Sequence, residues 1–119
     1  ALRVPSGPQA ALRIEHRVAG ADANPYLVMA VMLAGILHGL ENKMEPPAAI
    51  EGNAWDMNHD TPDLPSLMNV AVEKFLNSPL IEKYLSAEFQ LLYGKTKEQE
   101  LNEFQRRVTD FEIESYLRG

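Results

Sequence analysis

Charged and apolar positions alternate near the start of the chain. In the stretch RIEHR, Arg13, Glu15 and Arg17 occupy alternate positions, with Ile and His between them. Alternate side chains of a strand share one face. The pattern therefore predicts two short antiparallel strands within residues 1–18. ALRVP forms the first of them and adds Arg3 to the charged face.

A long apolar segment comes after these strands. Asn24 is a suitable N-cap and Pro25 suits the first helical position, so we expect a helix over residues 25–42. Its sequence is apolar nearly all round, which is typical of a buried helix. The run YLVMAVMLAGIL is shorter than the roughly 20 residues of a membrane span. We expect His38 in this helix to be a packed or edge histidine rather than a catalytic one.

Residues 45–65 are rich in proline and acidic side chains, and they predict a long irregular loop. Part of the loop has oxygen ligands at the spacing that opens a calcium site. These residues are Asp56, Asn58 and Asp60. Thr61 and Leu67 replace the glycine and the closing glutamate that such a loop requires, so the sequence argues against calcium.

Residues 66–118 are predicted to be helical. Ser66 and Ser78 are candidate N-caps, and a proline follows Ser78. Thr109 and Glu112 have the spacing of a capping box. Two short N-terminal strands before a mainly helical region predict an α+β fold, and 119 residues suit one domain.

Composition narrows the function classes. The chain is 45% hydrophobic, as expected for a globular protein. Its net charge of -6 argues against a nucleic-acid or anionic-membrane partner. It contains no cysteine, which excludes disulfides, thiolate metal sites and a cysteine nucleophile. We expect a cytoplasmic protein, with which the absence of cysteine is consistent.

The charged face of RIEHR has two interpretations. It is either a solvated strand face, whose ion pairs contribute about 0–1 kcal/mol each, or a site for anions and a metal. Arginine binds carboxylate and phosphate through its planar fork, and a glutamate between two arginines is a suitable ligand for a divalent cation. The residue pattern alone leaves both interpretations open.

Several stretches together favour the second interpretation. ALRVP, RIEHR and GADANPYLVMAVMLAGILHGLENK resemble, in order and spacing, the C-terminal part of the catalytic domain in the glutamine synthetase family. The resemblance covers residues 2–47, and the helical tail is compatible with it. EHR, GADANPYL and LHGLENK look closer to the branch that makes γ-glutamyl amides of polyamines than to the ammonia-using enzymes.

The resemblance implies an ATP-dependent ligase. ATP phosphorylates the γ-carboxylate of glutamate, and ammonia or an amine then displaces the phosphate, with Mg²⁺ or Mn²⁺ bound at the phosphates. By the same resemblance, Glu15 is a metal ligand, and Arg17 is a catalytic residue that binds glutamate and the transferred phosphate. Arg3 and Arg13 then lie by the nucleotide phosphates, and the intact protein is a homo-oligomer.

Two departures qualify the resemblance. Trp55 stands where regulated bacterial members carry a modifiable tyrosine, and PQAAL lacks the basic residue that usually precedes the motif. The other metal ligands of the family lie upstream of this motif. We therefore expect residues 1–119 to be a fragment of one catalytic domain, inactive alone. The alternative is a helical interaction module that kept the sequence without the chemistry.

Overall fold

The computed structural model describes residues 2–50 and 63–117. Two short strands open the chain and helices dominate the rest of the described residues, which confirms the predicted α+β class. The elements are β1 (Leu2–Arg3), β2 (Glu15–His16), α1 (Pro25–Glu41), α2 (Met68–Leu76), α3 (Pro79–Leu85), α4 (Ala87–Gln105) and α5 (Asp110–Leu117).

The strands β1 and β2 form an antiparallel ribbon in which Leu2 pairs with His16 and Arg3 with Glu15. This confirms the predicted pairing, although each strand is only two residues long. A 3-10 turn over Gln9–Ala11 lies between them. A ribbon this short has few backbone hydrogen bonds between its strands, so side-chain contacts across it matter for its stability.

Helix α1 begins where the sequence predicts. The Asn24 side chain accepts hydrogen bonds from the backbone N–H groups of Tyr26 at 3.0 Å and Leu27 at 3.4 Å. These bonds satisfy two amides that have no partner within the helix. The helix ends at Glu41, and Asn42 caps it through a side-chain bond to the carbonyl of His38.

The predicted burial of α1 is not found in this chain. Ala34 is its single buried residue, whereas Tyr26 is 82% and Leu40 72% exposed. A helix that is apolar on every side needs neighbours on every side to be buried. Among the described residues, α1 packs mainly against α3 and lines one groove, so much of its apolar surface faces solvent.

Helices α2, α3 and α4 pack together and hold most of the buried residues. Val72, Ile81, Gln90 and Gly94 are buried between them. Gly94 lies within α4 at a place where an added Cβ would overlap the Leu76 side chain. The glycine therefore permits a close crossing of α2 and α4.

The serine caps have mixed outcomes. Ser78 caps α3 as predicted, since its Oγ accepts from the Ile81 amide at 3.4 Å. The prediction for Ser66 is wrong, because α2 starts later and Leu67 occupies its N-cap position without a side-chain bond. An additional cap is Ser86, whose Oγ accepts from the Phe89 amide at 3.2 Å.

The capping box at the last helix is confirmed. The carboxylate of Glu112 accepts from the Thr109 amide at 2.8 Å, and the Thr109 hydroxyl accepts from the Glu112 amide at 3.3 Å. All of the described residues of α5 are exposed, apolar Phe111 and Tyr116 included. This helix therefore depends on local capping rather than on packing.

The predicted long loop is only partly described. Residues 45–50 and 63–65 contain no helix or strand. Trp55 and the calcium-like set (Asp56, Asn58 and Asp60) lie outside the described residues, so the interpretations given to them stay predictions. Within the two described ranges, no helix has both the length and the apolarity needed to cross a bilayer.

An arginine–glutamate ladder on the N-terminal ribbon

The ribbon brings together all four residues that the sequence singled out. Arg3 from β1, Glu15 from β2, and Arg13 and Arg17 from the flanks of β2 meet on one face. We call this set the ionic ladder. The period-two alternation predicted this shared face, and the pairing of Arg3 with Glu15 supplies the third arginine.

Glu15 is the centre of the ladder. Its Oε1 accepts from Arg13 Nε at 3.1 Å and Nη2 at 2.7 Å, so one arginine fork holds one oxygen. Its Oε2 accepts from Arg17 Nε at 3.2 Å and Nη2 at 2.8 Å, and also from Arg3 Nη1 at 3.2 Å. Both carboxylate oxygens are thus bound by guanidinium groups.

This geometry determines the electrostatics of the ladder. The hydrogen bond from Arg17, with those from Arg13 and Arg3, lowers the pKa of Glu15 from 4.5 to about 2, against an opposing desolvation effect. The arginine side chains are more than half exposed, so water and salt weaken each ion pair. The ladder is therefore a preorganised group of charges with net positive sign, not a source of large stability.

The opposite face of the ribbon is apolar. Leu2 and Ile14, together with His16, line an open groove of about 630 Å³. Its other walls come from α1, chiefly Leu27 and Val31, and from an aromatic group on α2 and α4. That group comprises Phe75, Phe89 and Tyr93, whose ring centroids are 5.3–6.5 Å apart. The ribbon thus separates an ionic face from an apolar one.

The donor chemistry of the ladder fits a hard cation only in part. Glu15 is a carboxylate, the ligand type that Mg²⁺ and Mn²⁺ prefer. Among the described residues, however, there is no cluster of three or more histidine, cysteine, aspartate or glutamate side chains that could hold a metal ion. The ladder thus offers a single carboxylate, and the described residues add no further acidic or histidine side chain beside it that would complete a metal site.

Sequence reasoning missed a second ionic cluster. Glu41 at the end of α1 accepts from Lys83 Nζ at 2.6 Å and from Tyr84 OH at 2.6 Å, both on α3. The rings of His38 and Tyr84 are nearly perpendicular with centroids 6.0 Å apart, as expected for a packed histidine. The hydrogen bond between Lys83 and Glu41 lowers the pKa of Glu41, and the same bond raises the pKa of Lys83. The pairing joins residues far apart in sequence, so no local pattern predicts it.

Comparison with known proteins identifies the family. The sequence model for the glutamine synthetase catalytic domain matches residues 1–116. Gamma-glutamylputrescine synthetase of Escherichia coli strain K12 is 42% identical over 119 residues, which covers 100% of this chain and 25% of that protein. Gamma-glutamylethanolamide synthetase of Streptomyces coelicolor is 37% identical over 113 residues, covering 95% of this chain and 24% of the relative.

A glutamine synthetase matches over a similar range. Glutamine synthetase of Clostridium saccharobutylicum is 32% identical over 122 residues, which covers 98% of this chain and 28% of that protein. The chain thus spans about a quarter of the length of the curated relatives it matches. Its N-terminal ribbon and its helices α1 to α4 lie within the matched range. The chain therefore belongs to the glutamine synthetase catalytic domain family.

Proposed function

We propose that this chain is the C-terminal share of an ATP-dependent carboxylate–amine ligase that joins the γ-carboxylate of glutamate to ammonia or an amine. The observation that carries the proposal is the ionic ladder, in which three arginines converge on one glutamate carboxylate. Family membership supports the class of reaction, and the chain covers only part of its relatives, so the activity of the whole protein is proposed here.

The arginines have the chemistry that phosphoryl transfer requires. Negative charge spreads over the oxygens of the transferred group in the transition state, and fixed cations stabilise it without reorganising. In the proposed site, Arg17 binds the glutamate carboxylate and the transferred phosphoryl group, so it acts as the catalytic residue of this chain. Arg3 and Arg13 hold the nucleotide phosphates, and their forks suit bidentate binding of oxyanions.

Glu15 would be one carboxylate ligand of a divalent cation, Mg²⁺ or Mn²⁺. When bound, such a cation supplies charge neutralisation at the phosphates and helps to position them. The role of Glu15 is to hold that charge close to the arginines. The remaining ligands must come from outside the described residues. The intact protein is proposed to be a homo-oligomer located in the cytoplasm.

The acceptor is proposed to be an amine rather than ammonia alone. Two relatives that share 42% and 37% identity with this chain are named for putrescine and ethanolamide products. The glutamine synthetase of Clostridium saccharobutylicum is less similar to this chain, at 32% identity, so it supports ammonia as the acceptor less strongly. Full-length ligase carrying this chain should therefore form γ-glutamyl products with putrescine or ethanolamine at higher kcat/KM than glutamine from ammonia. Equal or greater kcat/KM with ammonia would contradict the amine assignment and leave the ligase class intact.

The ladder role is tested by two matched substitutions in full-length ligase carrying this chain. Glu15→Gln keeps the size of the side chain and removes its charge, so the metal concentration needed for half-maximal rate should rise and kcat should fall. Glu41→Gln makes the same chemical change at a carboxylate that pairs with Lys83 and Tyr84, and both quantities should stay near wild type.

A competing function is a helical interaction module without catalysis. Under that alternative, Glu15→Gln and Glu41→Gln would behave alike, because both carboxylates would be surface ion-pair partners. The exposure of α1 and α5 agrees with an interaction role, although it names no partner. Metal-dependent loss of turnover in Glu15→Gln alone separates the two functions.

A further inference from the structure

Exposed apolar residues follow a regular spacing along helix α1. They are 49–82% exposed and comprise Tyr26, Met29, Leu33, Ile36 and Leu40. The intervals between them alternate between three and four residues, which is the a/d repeat of a helix that packs along another helix. We call these five residues the α1 seam.

The seam lies on a separate side of α1 from its contacts within the chain. The bond from Lys83 to Glu41 marks the side that faces α3, and buried Ala34, seven residues before Glu41, lies on that same side. The groove beside the ribbon takes up a second side, and Ile36 lies at its border because it also lines the groove. The seam is therefore a third side of the helix, turned toward solvent.

The flanks of the seam carry no charge. In the heptad that starts at Tyr26, the e and g positions are occupied by Ala30, Leu37, Met32 and Gly39. Charges at e and g positions normally select or exclude a partner helix. Small Ala30 and Gly39 allow a second helix to come close, and none of these four residues repels an identical helix.

The seam is also complementary to itself. In an antiparallel pair of helices, an a residue lies opposite a d residue of the other helix. Leu33 then faces the partner's Ile36, and Met29 faces the partner's Leu40. A twofold axis repeats both contacts, and pairing through one shared surface is the commonest form of homo-oligomer. The antiparallel alignment also places the opposite ends of the two helix dipoles side by side.

We propose that the α1 seam is a self-association surface, on which α1 of a second copy of this chain packs antiparallel at a crossing angle of about 20°. Burial of the apolar seam residues drives the association. A single helix pair is smaller than a standard interface of about 1,600 Å², so the dimer is weak and depends on concentration. The ionic ladder takes no part in this contact, which therefore goes beyond the proposed function.

Sedimentation equilibrium of the purified chain measures the association. Leu33→Glu places a charge at the centre of the helix pair, so the dissociation constant of the dimer should rise about tenfold or more. The matched control is Leu92→Glu on α4, where the leucine is 60% exposed against 57% for Leu33, and it should dimerise as wild type does. Far-ultraviolet circular dichroism should show the same helicity in all three proteins.

Introduced thiols report the register of the pair, because the chain has no cysteine of its own. A chain carrying Met29→Cys is mixed with a chain carrying Leu40→Cys under mild oxidation. The mixed disulfide should form faster than either chain forms a disulfide with its own kind, since the two positions face each other only in the antiparallel register. Mass spectrometry distinguishes the three products.

Three results would overturn the proposal. A wild-type chain that stays monomeric up to millimolar concentration would leave the remaining part of the ligase as the occupant of the seam. Equal weakening by Leu33→Glu and Leu92→Glu, or weakening by Leu92→Glu alone, would place the association on another surface. Faster disulfide formation between identical chains would refute the antiparallel register. Weakening by Leu33→Glu alone, together with a favoured mixed disulfide, supports the proposal.

Discussion

The ribbon and the α2–α4 unit are held together by different forces. In the ribbon, two strands of two residues each are bridged by the charges around Glu15. In the helical unit, apolar contacts surround buried Val72 and Ile81, and Gly94 allows a close helix crossing. Hydrophobic burial is worth more than exposed ion pairs, so the helices carry the stability of this chain.

The difference is instructive because the chemistry proposed for this chain lies in the part that contributes less stability. The ionic ladder presents its charges to solvent, where ligands can reach them, and it gains little stability in return. The buried amide of Gln90 serves the opposite purpose. It donates to the carbonyls of Phe75 at 2.7 Å and Ser78 at 2.9 Å, joining the end of α2 to the start of α3. Substitutions in the two regions should therefore have different consequences.

The largest expected effect is the absence of activity in the chain by itself. The helical unit should fold, yet the described residues contain no group of three or more histidine, cysteine, aspartate or glutamate side chains that could hold a metal ion. Productive phosphoryl transfer needs several ligands. The purified chain should release no phosphate from ATP with glutamate and form no γ-glutamyl product. Product detected by mass spectrometry above a Glu15→Gln control would contradict this prediction.

In the helical unit, Gln90→Leu should lower the free energy of unfolding by about 1–3 kcal/mol, because the carbonyls of Phe75 and Ser78 each lose one of two donors and keep only a backbone amide. The check is urea denaturation followed by circular dichroism. The matched control is Gln99→Leu on the exposed side of the same helix, expected within about 0.5 kcal/mol of wild type. Equal effects of the two substitutions would show that the hydrogen bonds of the buried Gln90 amide do not stabilise the packing of α2, α3 and α4.

A smaller loss is expected at the helix crossing. Gly94→Ala should destabilise by about 1 kcal/mol, since overpacking costs about 1–3 kcal/mol and alanine returns up to about 1 kcal/mol of helix propensity. The Leu76 side chain is the group that must move. In a Leu76→Ala background the same substitution should become stabilising. A double-mutant cycle from urea denaturation measures this, and the same effect in both backgrounds would contradict the crowding.

Local signals predicted much of this fold. The caps at Asn24, Ser78 and Thr109 act within a few residues and were readable from the sequence. The prediction of Ser66 as an N-cap was wrong because a suitable capping residue does not by itself determine where a helix begins. Leu67, the next residue, also has an extended backbone and occupies the N-cap position. The prediction that α1 is buried was wrong for this chain. An apolar sequence indicates that a helix is suited to burial, but it does not show which neighbouring elements are present to cover it.

The ladder was predictable for a similar reason. Period-two alternation places Arg13, Glu15 and Arg17 on one face without any tertiary information. Pairing of the two strands was also predicted to add Arg3 to this face, whereas the exact register and the convergence of all three arginines on one carboxylate required the structure. The Glu41–Lys83 pair required it too, because its partners are joined by packing of α1 on α3. The catalytic roles of the ladder residues stay predictions.

The response to pH should also differ between the two regions. The pKa of Glu15 is lowered from 4.5 to about 2, chiefly by Arg17. Its contribution to ribbon stability is therefore fully present above pH 4.5 and lost as the pH falls through about 2. A carbon-detected titration of the Glu15 carboxyl should show this midpoint, moving upward in high salt as the arginines are screened. A midpoint near 4.5 at low salt would contradict the ladder.

The most direct test is the steady-state kinetics of Arg17→Lys in full-length ligase carrying this chain. Lysine keeps the charge and loses the planar fork, so kcat/KM for glutamate should fall by an amount equivalent to about 2–4 kcal/mol of transition-state stabilisation. The control is Ile14→Val on the apolar face, where the side chain is 57% exposed, and kcat/KM should be unchanged. Near-normal kcat/KM in Arg17→Lys, with normal metal dependence, would mean that the ladder is only a salt-bridged surface.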